Sequence, residues 1–221
     1  TLMWGATLFV SCAPSPRWPG VTDGCPEHMV AVEDAFCIDR WEAALVEEPS
    51  GRPHPPNVSV GGRRVRAVVG PDRVPQGYIS RNEAAAACGA AGKRLCREHE
   101  WVRACRGPQR FTYPYGNREQ RGVCNDDGVS PLLRLFAGTG TDPYSDRAMN
   151  DARLHDLPRT VLPSGTRRNC VSPYGAFDMV GNLHEWVDAP GGAFLGGYYL
   201  DTRLNGRGCS YKTTAHGPAY H

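Results

Sequence analysis

Residues 174–186 read YGAFDMVGNLHEW. Tyr174, Phe177, Met179, Val180 and Trp186 are large and apolar, and Asp178, Asn182 and Glu185 stand among them. Carboxylates and amides are costly to bury unless something pairs with them. Gly175 and Gly181 permit backbone conformations that other residues resist. The stretch admits two readings. One is a core strand and a turn carrying two solvated acids. The other is a tight Gly-Asn turn that gathers Asp178, Glu185 and some main-chain carbonyls around one point. That would be an all-oxygen site, suited to a hard cation such as Ca²⁺.

Working outward, Ser80-Arg81-Asn82-Glu83 is a capping box, and Ala84 to Ala87 continue as helix formers, with Gly89 and Gly92 as stop signals. A second helix is expected from about Arg97 to Cys105, with Trp101 and Cys105 one turn apart on one face. Cys25 and Cys37 flank an apolar, hairpin-like pattern that allows a local bridge between them. Residues 49–78 and 107–170 read mostly as loop. Leu2 to Val10 is a short apolar run, followed by Ser11-Cys12-Ala13 and a Pro-rich stretch. Residues 1–24 therefore read as a signal or lipoprotein-like segment with a tether, and Cys12 as an acylation candidate. Residues 25–221 form the domain.

The chain of 221 residues can bury one sizeable core. A formal net charge of +2 and scattered arginines imply no nucleic-acid partner. A count of 26 Gly and 19 Pro argues for short elements and much loop. Nine cysteines without CxxC pairs point to disulfides and an oxidising, extracytoplasmic compartment, which with Cys12 suggests a periplasmic or outer-membrane lipoprotein. Any membrane contact would then run only through that lipid anchor.

The opening stretch resembles the YG-x-x-D/N-M-x-GN-x-x-EW signature of the formylglycine-generating enzyme family, also called sulfatase-modifying factor domains. Phe36-Cys37-Ile38-Asp39-Arg40-Trp41-Glu42 is similar to the family's F-x-I-D-x-Y/W-E strand. Ala87-Cys88-Gly89, Gly92-Lys93-Arg94-Leu95, Glu98, Glu100-Trp101 and Ala104-Cys105-Arg106-Gly107 resemble its A-x-C-x-x-x-GKRLPTEAEWE-x-A-x-RG core. Tyr113-Pro114-Tyr115-Gly116 resembles its YPWG turn, and Gly191-Gly192-Ala193-Phe194 its GGSF. The motifs follow in family order. The resemblance implies an α+β fold, a C-type-lectin-like variant that is loop-rich and stabilised by disulfides and Ca²⁺. It implies one Ca²⁺ site using the Asp178 and Glu185 side chains with the Gly181 and Leu183 carbonyls. A first site would use the Asn125 side chain and the Asp126 carbonyl, with Asp151 or Asp156 as a further acid. It also implies a Cys105–Cys209 disulfide. Cys96, where the family has Pro, suggests an added bridge. The family's closing GFR-C strand, which would carry a partner for Cys88, has no counterpart before Tyr220-His221. An unfilled sheet edge and a free Cys88 thiol are therefore expected.

The family's oxidases bind Cu(I) through two cysteines in a segment resembling GGSF-x-C-x-x-x-x-C. Soft thiolates suit Cu(I) as hard carboxylates suit Ca²⁺. Those two places fall here on Gly196 and Asp201. Copper is therefore not expected, and Gly196, Asp201 and Arg203 would line only a former active-site groove. No pair among the seven histidines has helical metal spacing. The expectation is a non-catalytic domain that binds a peptide, protein or glycan. The alternatives are a copper-dependent formylglycine-generating oxidase or divergent oxidoreductase, and a variable ligand-display protein.

Overall fold

The computed structural model describes residues 8–10, 12–14, 24–149, 151–154, 156–214 and 216–220, with the backbone alone for 8–10, 12–14, 146 and 152. The expected leader contributes two short strands, β1 (Leu8–Val10) and β2 (Cys12–Pro14). The acylation expected at Cys12 concerns a side chain outside the described residues.

Two hairpins follow. In the first, β3 (Met29–Val32) pairs with β4 (Phe36–Asp39), and in the second β5 (Ala44–Glu47) pairs with β6 (Val65–Val68). Helix α1 (Arg81–Ala90) starts at the expected capping box, where Ser80 Oγ accepts from Glu83 N at 3.3 Å and Ser80 N donates to Glu83 at 2.9 Å. It runs through Gly89 and stops before Gly92. After β7 (Lys93–Leu95) comes α2 (Glu98–Arg106), which lacks a side-chain cap at Arg97. Glu100 compensates by accepting from Arg97 N at 2.8 Å and gripping the Arg94 guanidinium with two bonds of 2.7 Å. Two short helices, α3 (Pro131–Phe136) and α4 (Asp146–Met149), gather a satellite cluster around Leu132, Phe136, Ala148 and Leu154. The chain closes with β8 (His184–Trp186), β9 (Phe194–Leu195) and β10 (Lys212–Thr213).

The main sheet has the order β1-β8-β9-β10, and β2 pairs with β7. β1 lies parallel to β8, with Phe9 opposite Glu185. The unfilled edge expected at the sheet is thus corrected: β8 has a neighbour on each side, because the N-terminal segment supplies one. Side chains alternate across a strand, and β8–β9 uses both faces. Leu183, Trp186 and Phe194 enter one core with Ala43, Leu45, Ile79 and α1. Val187 and Leu195 enter the other with Val30, Ile38, Trp101 and Cys105.

Disulfides tie the loops to these cores. Cys25–Cys37 closes the first hairpin, and Cys105–Cys209 fastens α2 to the C-terminal segment, both as expected. Cys124–Cys170 joins two loops. Two expectations are corrected. Cys88 is disulfide-bonded, and Cys96 is a buried thiol instead of half of an added bridge. Such bonds fit an oxidising compartment. No helix among the described residues is long and apolar enough to cross a membrane.

Removing residues 1–14 strips main-chain partners from β8 and β7. The truncated chain is expected to melt about 5–10 °C lower, with faster amide exchange at Glu185 and Trp186. Unchanged melting and exchange would show that β1 does not hold the sheet.

Candidate functional site

The Gly-Asn turn exists and is left-handed, with φ of +81° at Gly181 and +54° at Asn182. A Cβ on Gly181 would meet the Asn125 carbonyl oxygen at 2.4 Å, so only glycine fits. Asn182 is 1% exposed. Its Oδ1 accepts from Asn125 Nδ2 at 2.8 Å and Leu162 N at 2.9 Å. Its Nδ2 donates to Glu42 Oε2 at 2.5 Å and the Leu162 carbonyl at 3.1 Å. Its main-chain N–H donates to the Asn125 carbonyl at 2.8 Å, and its carbonyl accepts from Tyr199 N at 3.0 Å.

The turn stands beside three buried acids. Phe177 N donates to the Arg40 carbonyl at 2.8 Å, and the Trp41 ring stacks on Phe177 with centroids 6.3 Å apart. This contact carries Glu42 inward beside Asp178 and Glu185. Asp178 has a φ of +57° and accepts from Gly165 N at 2.6 Å. Glu185 accepts from Trp101 Nε1 at 2.7 Å. Glu42 accepts from Asn182 and, at 3.3 Å, from Ser164 Oγ, while its buried Oε1 has no hydrogen-bond partner among the described residues. A void of about 10 Å³ lies between Glu42, Glu185, Asp39, Ile38, Trp41, Phe177 and Met179. That is near the lower limit for one water.

Burial is the main force on these acids. It pushes Asp178 up to about 7 against the opposing Gly165 N–H. Glu42 is driven well above the carboxylate range by burial and then by the charges of Asp178 and Glu185. Asp39 rises to about 6 through burial, opposed by Lys93, whose Nζ lies 2.5 Å away. The centre is negative and poor in water, so it favours either protons or a hard cation. Among the described residues no three His, Cys, Asp or Glu side chains converge tightly enough to hold one ion alone. Main-chain oxygens would have to join, as expected for Gly181 and Leu183. Sequence reading placed Glu42 in a motif but gave it no role, and its distance in sequence from residues 178–185 concealed it.

The other expected residues make contacts of their own. Asn125 donates to the Thr160 carbonyl and to Asn182, each at 2.8 Å, so it braces the turn. The Asp126 carboxylate accepts from Gly122 N at 2.8 Å. Gly196 has a φ of +81°, and a Cβ there would lie 2.6 Å from the Met179 carbonyl oxygen and 3.1 Å from the Trp101 ring. Asp201 caps its own turn, accepting from Arg203 N at 2.9 Å and Leu204 N at 3.1 Å. Arg203 pairs with Glu119 at 3.1 Å. His184 is buried against Phe194, Tyr198 and Tyr211, and burial holds its imidazole neutral, with a pKa lowered to about 3.

Replacing Asn182 by Ala strands the Glu42 carboxylate, the Asn125 amide and both Leu162 main-chain groups. Urea unfolding is expected to show a loss of roughly 3–5 kcal/mol. The acids also predict a pH dependence. Asp178 is raised from 3.8 to about 7, so the folded chain binds the extra proton in that window. Its contribution is full below pH 4 and is lost as pH rises toward 7. In chelator, melting temperature should fall across this range, and Asp178→Asn should reduce the fall, leaving the shares of Glu42 and Asp39.

The chain matches the sulfatase-modifying factor enzyme 1-like domain over residues 26–192. It is 33% identical over 187 residues to the formylglycine-generating enzyme of Thermomonospora curvata, covering 82% of this chain and 52% of that protein. It is 29% identical over 197 residues to the formylglycine-generating enzyme of Mycobacterium tuberculosis, covering 82% and 56%. It is 32% identical over 153 residues to the inactive C-alpha-formylglycine-generating enzyme 2 of Mus musculus, covering 67% and 41%. The chain thus spans about half the length of these relatives. The match ends at the segment where the thiolates would follow, yet it includes the turn and its acids, and on it the chain belongs to the sulfatase-modifying factor family.

Proposed function

We propose that this chain is a non-catalytic, extracytoplasmic member of its family that binds a peptide, protein or glycan on a C-type-lectin-like scaffold. The observation that carries the reading is the backbone at the two thiolate places. Gly196 is left-handed and walled in by Met179 and Trp101, leaving no space for a cysteine side chain. Asp201 offers hard oxygens, already committed to two main-chain N–H groups. Cu(I) prefers soft thiolates, so the donor set does not fit copper. The likeness to a relative described as inactive is in keeping with this.

The segment holds up a loop instead. The Asp201 cap and the Arg203–Glu119 pair present Leu204, which is 78% exposed. An apolar tip beside a paired arginine suits recognition of a ligand surface.

The same reading places one Ca²⁺ at Asp178 and Glu185, with the Gly181 and Leu183 carbonyls and Glu42 close by. Three acids and an unpartnered carboxylate oxygen are the support for it. A bound Ca²⁺ would supply no chemistry beyond offsetting this charge and fixing the turn.

Two measurements check the reading. Cu(I) titration together with oxidation of a CxPxR peptide is expected to show neither binding nor aldehyde. Stoichiometric copper and an aldehyde product would establish an oxidase instead. Gly196→Cys is expected to lower stability by about 1–3 kcal/mol without recruiting copper. Saturating Ca²⁺ at neutral pH should raise the melting temperature, and Glu185→Gln should abolish that rise.

A further inference from the structure

The turn Cys124-Asn125-Asp126-Asp127, where the resemblance implies another cation, is enclosed by arginines. Arg121 Nη2 donates to the Asp126 carbonyl at 3.3 Å. Arg159 Nη2 donates to the Asp127 carbonyl. Arg167 Nη2 reaches the Asp127 carboxylate at 2.9 Å. The Asp126 carbonyl, the Asp127 carbonyl and one Asp127 carboxylate oxygen are therefore already served by N–H donors. The Asp126 carboxylate is bound by Gly122 N, and Asn125 Nδ2 donates to the Thr160 carbonyl and to Asn182 Oδ1, which fixes the orientation of the amide.

The acids considered as completing ligands are engaged elsewhere or exposed. Asp151 grips Arg153 with bonds of 2.9 and 2.7 Å, which holds its carboxyl down at about 2. It lines a cavity of about 300 Å³ with Leu135 and Phe136, in the satellite cluster. Asp156 is exposed to solvent.

We infer that Arg121, Arg159 and Arg167 take the place of a metal ion at this turn. A guanidinium suits the task. It stays charged at any physiological pH and offers planar donors that carbonyl and carboxylate oxygens accept. Three of them against Asp126 and Asp127 leave the turn formally positive, so a divalent cation would meet repulsion there. The Cys124–Cys170 bond and the Arg167–Asp127 pair then hold the turn covalently and ionically to residues 167–170. Calcium occupancy, where it occurs, belongs to Asp178–Glu185 alone; that clause rests on the function proposed above, whereas the arginine staple does not.

The test combines calcium titration calorimetry on metal-stripped protein with melting in chelator. Wild type is expected to take up one equivalent, and Glu185→Gln none. The Arg159→Gln/Arg167→Gln double variant is expected to melt roughly 2–8 °C below wild type in chelator, and added calcium should not close that gap. If the double variant does not fold, Arg167→Gln alone serves the same comparison with a smaller shift. Two equivalents in wild type, or one retained by Glu185→Gln, would place a metal at the turn and overturn the inference. So would a double variant that melts with wild type. No uptake at all, with the loss in the double variant intact, supports the staple and removes calcium from Asp178–Glu185.

Discussion

The side chain of Asn182 is the constraint on which the remaining structure depends. Every polar atom it carries is used, and its partners come from residues 42, 125 and 162, with residue 199 bound through its main chain. Segments far apart in sequence must be joined here at one point by a single group. A buried amide can do this, because it has two donors and two acceptor lone pairs, and all are costly to leave unmade. Packing around it is set by the same need. Gly181 must be glycine to let the Asn125 carbonyl approach, and Glu42 must come inward to accept from Nδ2.

With short strands and few helices, loop positions depend on covalent and polar ties. Cys105–Cys209 closes across 104 residues and Cys124–Cys170 across 46. Long closed loops of this kind restrict the unfolded chain most. The two cores are thin, and β8–β9 is the wall they share. Trp186 illustrates the economy of that wall: its ring packs edge-on against Phe194, and its indole N–H donates to the Ile79 carbonyl at 2.9 Å.

Local features were the legible ones. The Ser80 capping box, the second helix, the Cys25–Cys37 hairpin and the turn at Gly181 each rest on residues a few positions apart. Cys105–Cys209 was reached through resemblance. What escaped were pairings between distant segments, which periodicity and spacing do not encode. Glu42 reaches the acids through Asn182. Cys124 meets Cys170 across a divergent loop. The arginines of the 125–127 turn come from three separate places. The apolar run near the N-terminus reads equally well as leader or strand, since both call for short apolar stretches.

The parallel pairing of β1 with β8 has a consequence for how the chain is made. Leu8 lies opposite His184, so 176 residues (184 − 8) separate these partners. At roughly 5–20 residues per second, the first strand leaves the ribosome about 9–35 s before its partner exists. Its backbone N–H and C=O groups stay unsatisfied by the fold for that interval, and pairing comes only after loop closure over most of the chain. Completion of the main sheet therefore waits for β8, and β1 spends that interval without its strand partner.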